Sequence, residues 1–109
     1  MIEEIPNMSY INKLFLEEEE PKKEFIGILY EELLLDIDSY FSFLNNKDYQ
    51  KTKLFVHRIK HKMSVLGLEE NYKLANTYEN NVRNNNLKGK EQFESMLPIM
   101  KDFLKTIKE

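Results

Sequence analysis

The 109-residue chain has no cysteine and no tryptophan, only three glycines and three prolines, and no long apolar run. The missing thiols exclude disulfides, thiolate metal sites, iron–sulfur clusters and cysteine nucleophiles together, and they suit a reducing compartment. So few glycines and prolines argue against a many-turned β-sandwich or barrel. No stretch approaches the roughly 20 apolar residues of a membrane helix. The start, Met1-Ile2-Glu3-Glu4-Ile5-Pro6, lacks a basic segment leading into an apolar one. No secretory signal is therefore expected, and the chain is read as cytoplasmic. A formal net charge of −3 makes no general case for nucleic acid as a partner.

What is present is apolar content of 41%, charged content of 32% and thirteen aromatics, seven Phe and six Tyr. That supports one packed core and a single domain over 1–109. The apolar residues recur at three and four positions nearly throughout, which predicts helices and no sheet. A short helix is expected from about Met8 to Leu16 with Asn7 as its cap, and a second from about Pro21 to Leu44. A third spans about Tyr49 to Leu66, capped by Asp48 and stopped by Gly67. A fourth spans Leu68 to about Asn84 and a fifth about Lys90 to Ile107. Pro98 in the fifth predicts a kink or a late start. Short connections make neighbouring helices antiparallel. The expected fold is all-α, an up-down antiparallel four-helix bundle with an additional short N-terminal helix.

Charge is split along the chain. Residues 1–50 carry twelve acids and four bases, whereas residues 51–109 carry seven acids and twelve bases. The stretch 51–62, KTKLFVHRIKHK, holds five bases, both histidines and no acid. With His57 at zero on a wheel of about 100° per residue, Phe55, Ile59, Met63 and Leu66 form the core stripe near 160–240°. His57 points away from it. Lys53, Lys60, His61 and Ser64 share its face. Leu54 and Val65 are apolar positions that the stripe does not claim. This placement fits an ordinary solvated histidine. It equally fits an imidazole in a positive field that attracts a phosphoryl group, beside an apolar rim that suits a docking partner.

The run His57-Arg58-Ile59-Lys60-His61-Lys62-Met63-Ser64-Val65-Leu66-Gly67 resembles the signature of histidine-containing phosphotransfer (HPt) domains of bacterial two-component phosphorelays. His57, Ile59, Lys60, Leu66 and Gly67 match that pattern, and the likeness extends over about residues 7–107. Met8 to Phe15 is similar to the family's first helix, and Glu31 to Asn46 to the helix and turn before the active one. Leu74-Ala75 and Tyr78-Glu79 are similar to the pattern of the following helix. The family's usual glycine four residues after the histidine is His61 here.

The resemblance implies a carrier and not an enzyme. His57 would take a phosphoryl group from the aspartyl phosphate of a response-regulator receiver domain, within a hybrid sensor kinase or beside one, and pass it to another receiver. Lys60 would neutralise the phosphoryl oxygens. His61, Ser64, Lys53 and Glu79 are accessory candidates, Glu79 by orienting the imidazole. Leu54, Arg58 and Val65 would meet the partner. No ATP loop or cofactor is expected, and Mg²⁺ would belong to the receiver. The alternative is an HPt-fold docking module that binds a receiver or kinase without carrying phosphate. A metal site at His57 and His61 is set aside because the nearby bases would repel a cation, and nucleic acid and membrane are not expected as partners. Nothing demands more than a monomer.

Overall fold

Five α-helices make up most of the residues that the computed structural model describes, 3–109, and no strand occurs among them. They are α1 (Ser9–Phe15), α2 (Glu19–Asn45), α3 (Tyr49–Val65), α4 (Glu69–Arg83) and α5 (Lys90–Lys108). α3 packs on α2 and α4, and α5 packs on the same two helices, so four helices close a ring, with α1 laid against α2. This arrangement is compatible with a four-helix bundle and a short added N-terminal helix. The radius of gyration is 14.1 Å.

Turn chemistry fixes the ends of the helices. α2, α3 and α4 all stop in the same way. After α3, the Gly67 N–H reaches the Ser64 carbonyl at 3.1 Å and the Leu68 N–H reaches Met63 at 2.9 Å. After α2, Lys47 and Asp48 repeat the pattern on Leu44 and Phe43, and after α4, Asn85 and Asn86 repeat it on Val82 and Asn81. The pivotal residues Lys47, Gly67 and Asn85 all have positive φ. At the other ends, the Asp48 carboxylate accepts from the Lys51 N–H, and the Asn7 side chain accepts from the Ser9 N–H.

One expected boundary shifts by two residues, and α5 starts at Lys90 as expected. α2 begins at Glu19, so Pro21 lies in its first turn, where a missing N–H costs nothing. α5 begins at Lys90 and runs through Pro98, so it does not start late. Pro98 is exposed and in mid-helix. Phe55 is only half-buried at the edge of the core, where it stacks on Phe43 with centroids 5.6 Å apart.

The core runs through every helix: Ile11 from α1, Leu29 and Leu33 from α2, Val56, Ile59 and Met63 from α3, Ala75 and Val82 from α4, and Phe93, Met100 and Leu104 from α5. Two polar devices are set into it. The Tyr78 hydroxyl donates to Tyr40 at 2.7 Å, and Tyr40 donates to the Glu94 carboxylate at 2.8 Å, which ties α4, α2 and α5 together. Burial, then these neighbours, push the Tyr40 hydroxyl far above its ordinary range, so it stays a donor. On the α2–α3 seam, Asp36 is 1% exposed and accepts from Arg58 Nε at 2.7 Å and Lys62 Nζ at 2.8 Å.

The N-terminal segment crosses the α3–α4 turn. The Asn7 N–H donates to the Leu66 carbonyl at 2.9 Å, and the Glu4 carboxylate accepts from the N–H groups of Glu70 and Asn71 at the start of α4. A Cβ on Gly67 would collide with the Asn7 side chain. Gly67→Ala is therefore expected to destabilise the fold by about 1–3 kcal/mol through φ and the clash together. Lys47→Gly, at a left-handed position with no such crowding, should stabilise it by a few tenths to about 1 kcal/mol. Urea unfolding of both variants checks the pair, and equal effects would overturn it.

Candidate functional site

α3 meets α4 along a seam where two ionisable side chains of α3 converge on one carboxylate of α4. Glu79 lies on the buried stripe of α4 with Asn71, Ala75, Tyr78 and Val82. Its carboxylate accepts from Lys60 Nζ at 2.8 Å and lies 3.1 and 3.2 Å from His57 Nδ1. Lys60 also donates to Asn76 Oδ1 at 3.0 Å and lies over the Tyr72 ring. Burial pushes the Glu79 carboxyl up, but the Lys60 hydrogen bond and charge, with His57, outweigh it and hold it below the ordinary range. An ionised carboxylate only accepts, so Nδ1 of His57 is the protonated nitrogen.

The neutral His57 ring then carries its lone pair on Nε2, and the ring is about half in solvent, its side chain 49% exposed. His61 stands one turn on with its Nε2 3.0 Å from Nε2 of His57. Because His57 Nε2 accepts, His61 Nε2–H donates. Four groups thus form one chain: Lys60, Glu79, His57 and His61. Burial, then the positive charge that His57 carries when protonated and that of Lys60, hold His61 below the ordinary imidazole value.

The other predicted site residues fall into two groups. Ser64 and Leu54 are exposed on α3, Leu54 more than half so, while Lys53 and Val65 are half-buried. Val65 packs against the core edge. Arg58 and Lys62 turn to the opposite flank, toward α2, where both bind Asp36 and Lys62 also meets Glu32 at 3.3 Å. Lys60 is not displayed in solvent beside His57. It is 5% exposed, with its ammonium held in the seam by Glu79 and Asn76. A lysine stem readily lies along apolar surface with its charge at a distance, which a single-helix wheel does not capture.

Two partners escaped sequence reasoning. Asp36 continues the register of Ile26, Leu29, Leu33 and Tyr40, so an acid on an apolar stripe was the available signal. Lys62 lies toward the apolar side of α3, and its pairing with Asp36 follows from that. Neither histidine lines the hollows bounded by Leu87 and Gln92 or by Leu14 and Glu18. No family model matches this chain, no curated protein matches it, and no solved structure matches it.

Two measurements probe this network. Glu79→Gln strands the buried Lys60 ammonium and should cost about 3 kcal/mol of stability. Adding Lys60→Met should restore most of that loss, and purely additive losses in urea unfolding would show that the pair is not coupled. The second concerns pH. His61, depressed in the fold, resists protonation there, so stability is full above its ordinary value of 6.5 and declines as pH falls through that value toward the folded one. Glu79 and Glu4 are both depressed, so their contribution is present above 4.5 and is lost as pH falls through their folded values. His61→Gln should remove the first decline and leave the second. NMR titration should place His61 below 6.5.

Proposed function

We propose that this chain is a phosphohistidine carrier of HPt type, working in a two-component phosphorelay. The observation that carries this reading is the orientation of His57: Glu79 holds Nδ1–H, and the lone pair of Nε2, met there by His61 alone, stands on an exposed helix face. Nε2 attacks the phosphorus of an aspartyl phosphate on a receiver domain. The P–O bond to the receiver's carboxylate breaks, an N–P bond forms, and the carboxylate leaves with the electron pair. The ring gains positive charge as it bonds to phosphorus, and the Glu79 carboxylate at Nδ1 stabilises it. Return of the phosphoryl group to a second receiver reverses these steps.

In this reading Lys60 acts through Glu79, balancing its charge within the seam. The proton on His61 Nε2 is placed to donate to a phosphoryl oxygen once the ring gives way to it. Lys53 and Ser64 share the face. Leu54 and, about three turns further along α3, Val65 supply apolar surface on the face where a receiver docks, and Arg58 keeps N–H groups free of Asp36 for the same partner. The bundle is up-down and antiparallel, the setting is the cytoplasm, and the Mg²⁺ of the transfer step belongs to the receiver. No helix among the described residues is long and apolar enough to cross a membrane.

One observation favours a second reading. The His61 ring stands directly on the nitrogen that would be phosphorylated. A chain in which it never yields would bind a receiver or kinase and carry no phosphate. A transfer assay separates the two. The chain is mixed with a receiver phosphorylated on its Asp, with Mg²⁺ present, and acid-labile, base-stable phosphate is read on the wild type, His57→Gln and His61→Gln. Label on the wild type and on His61→Gln, absent from His57→Gln, is the expected result. Receiver binding with no label on any form would establish the docking module instead.

A further inference from the structure

The two imidazoles of α3 are spaced for another ligand. Their Nε2 atoms lie 3.0 Å apart, and the rings meet edge to face at 78° with centroids 4.4 Å apart. With metal–nitrogen bonds of about 2.0–2.1 Å, two nitrogens at that separation subtend roughly 95° at a shared ion. That is the angle between adjacent ligands in a square-planar or tetragonal site, the geometry of Cu²⁺ and Ni²⁺. A tetrahedral Zn²⁺ would need the nitrogens to open to about 3.3 Å.

The surroundings agree. A metal-binding histidine regularly gives its other N–H to a carboxylate, which fixes the ring and strengthens the ligating nitrogen. Glu79 does this for His57. The fold lessens the repulsion that the clustered bases exert on a cation: Lys60 is paired with Glu79, and Arg58 and Lys62 with Asp36 and Glu32. Both rings are exposed, and an incoming ion displaces the hydrogen bond between them as the rings turn to bring both Nε2 lone pairs onto the ion, off the line that joins the two nitrogens. For His61 to offer a lone pair, its proton moves from Nε2 to Nδ1, with no net loss of charge.

We propose that His57 and His61 chelate a late divalent transition-metal ion, Cu²⁺ foremost, through their two Nε2 atoms, with water filling the remaining positions. No group of three or more metal-ligating side chains occurs among the described residues, so the chelate is a two-ligand surface site and its ion exchanges readily. The metal site stands on geometry alone. Its consequence rests on the phosphohistidine reading: ion and phosphoryl group require the same nitrogen of His57 and exclude one another.

Copper titration of the wild type, His57→Gln, His61→Gln and the double variant tests the site, read by visible absorption and by nitrogen couplings in electron paramagnetic resonance. Both substitutions lie on exposed positions, and circular dichroism confirms that each variant folds. One equivalent bound through two nitrogens is expected. Each single substitution should loosen it about tenfold or more, and the wild type should prefer Cu²⁺ over Ni²⁺ over Zn²⁺. Copper held equally by the double variant, or a signal unchanged by either substitution, would overturn the site. Phosphoramidate, which needs no partner protein, tests the shared nitrogen. Labelling of His57 in the metal-free chain that is suppressed by one equivalent of Ni²⁺ is expected, and equal labelling with and without Ni²⁺ refutes the exclusion. A metal-free chain that takes no label at His57 counts against the carrier reading, and the titration still decides the chelate.

Discussion

One carboxylate decides what the exposed face of this protein can do. Glu79 sits on the α3–α4 seam with a buried ammonium on one side and an imidazole nitrogen on the other. Placing a carboxylate there is unfavourable on burial grounds alone, and the paired lysine makes it tolerable. Once ionised, it leaves His57 a single arrangement, with its proton inward and its lone pair outward. The accepting role of Nε2, the donating role of His61 and the charge available to a substituted ring all follow from that proton. In this tautomer Nε2 is the ring nitrogen that can offer a lone pair outward.

The seam is possible because the rest of the bundle fixes the two helices that form it. α3 is bounded by Asp48 at one end and Gly67 at the other, and α4 begins under the Glu4 carboxylate. The tyrosine pair and Glu94 hold α4 to α2 and α5. These are directional contacts in an otherwise apolar interior, and they select one packing among the several that hydrophobic burial alone would permit.

Much of this was legible in the sequence where the signal is local. Gly67 and Asp48 announce the ends of α3 because left-handed backbone and capping each demand a narrow set of residues. The wheel placed His57 opposite Ile59 and Met63, and the structure leaves its ring half in solvent. Lys60 shows the limit of that method. Its angle puts it beside His57, but whether its ammonium reaches water or a carboxylate depends on what α4 presents, and one helix's periodicity carries no record of its neighbour. Asp36 is the mirror case, an acid in an apolar register whose partners lie 22 and 26 residues further on. The contact between the two histidines is also invisible to spacing alone. Residues four apart share a face, but the side-chain torsions that bring two nitrogens together are set by Glu79 from another helix.

The ion pairs on α3 point in opposite directions, Lys60 toward α4 and Arg58 with Lys62 toward α2. A cylinder gripped on both flanks cannot roll about its own axis without breaking one grip. Most helices in small bundles are held by apolar contacts, which slide at little cost over a few degrees, whereas a buried ion pair tolerates little slippage. The azimuth of the imidazole is therefore set when the chain folds, and an incoming group meets a ring already aimed. The orientational entropy that a freely turning ring would lose on binding is lost here in advance.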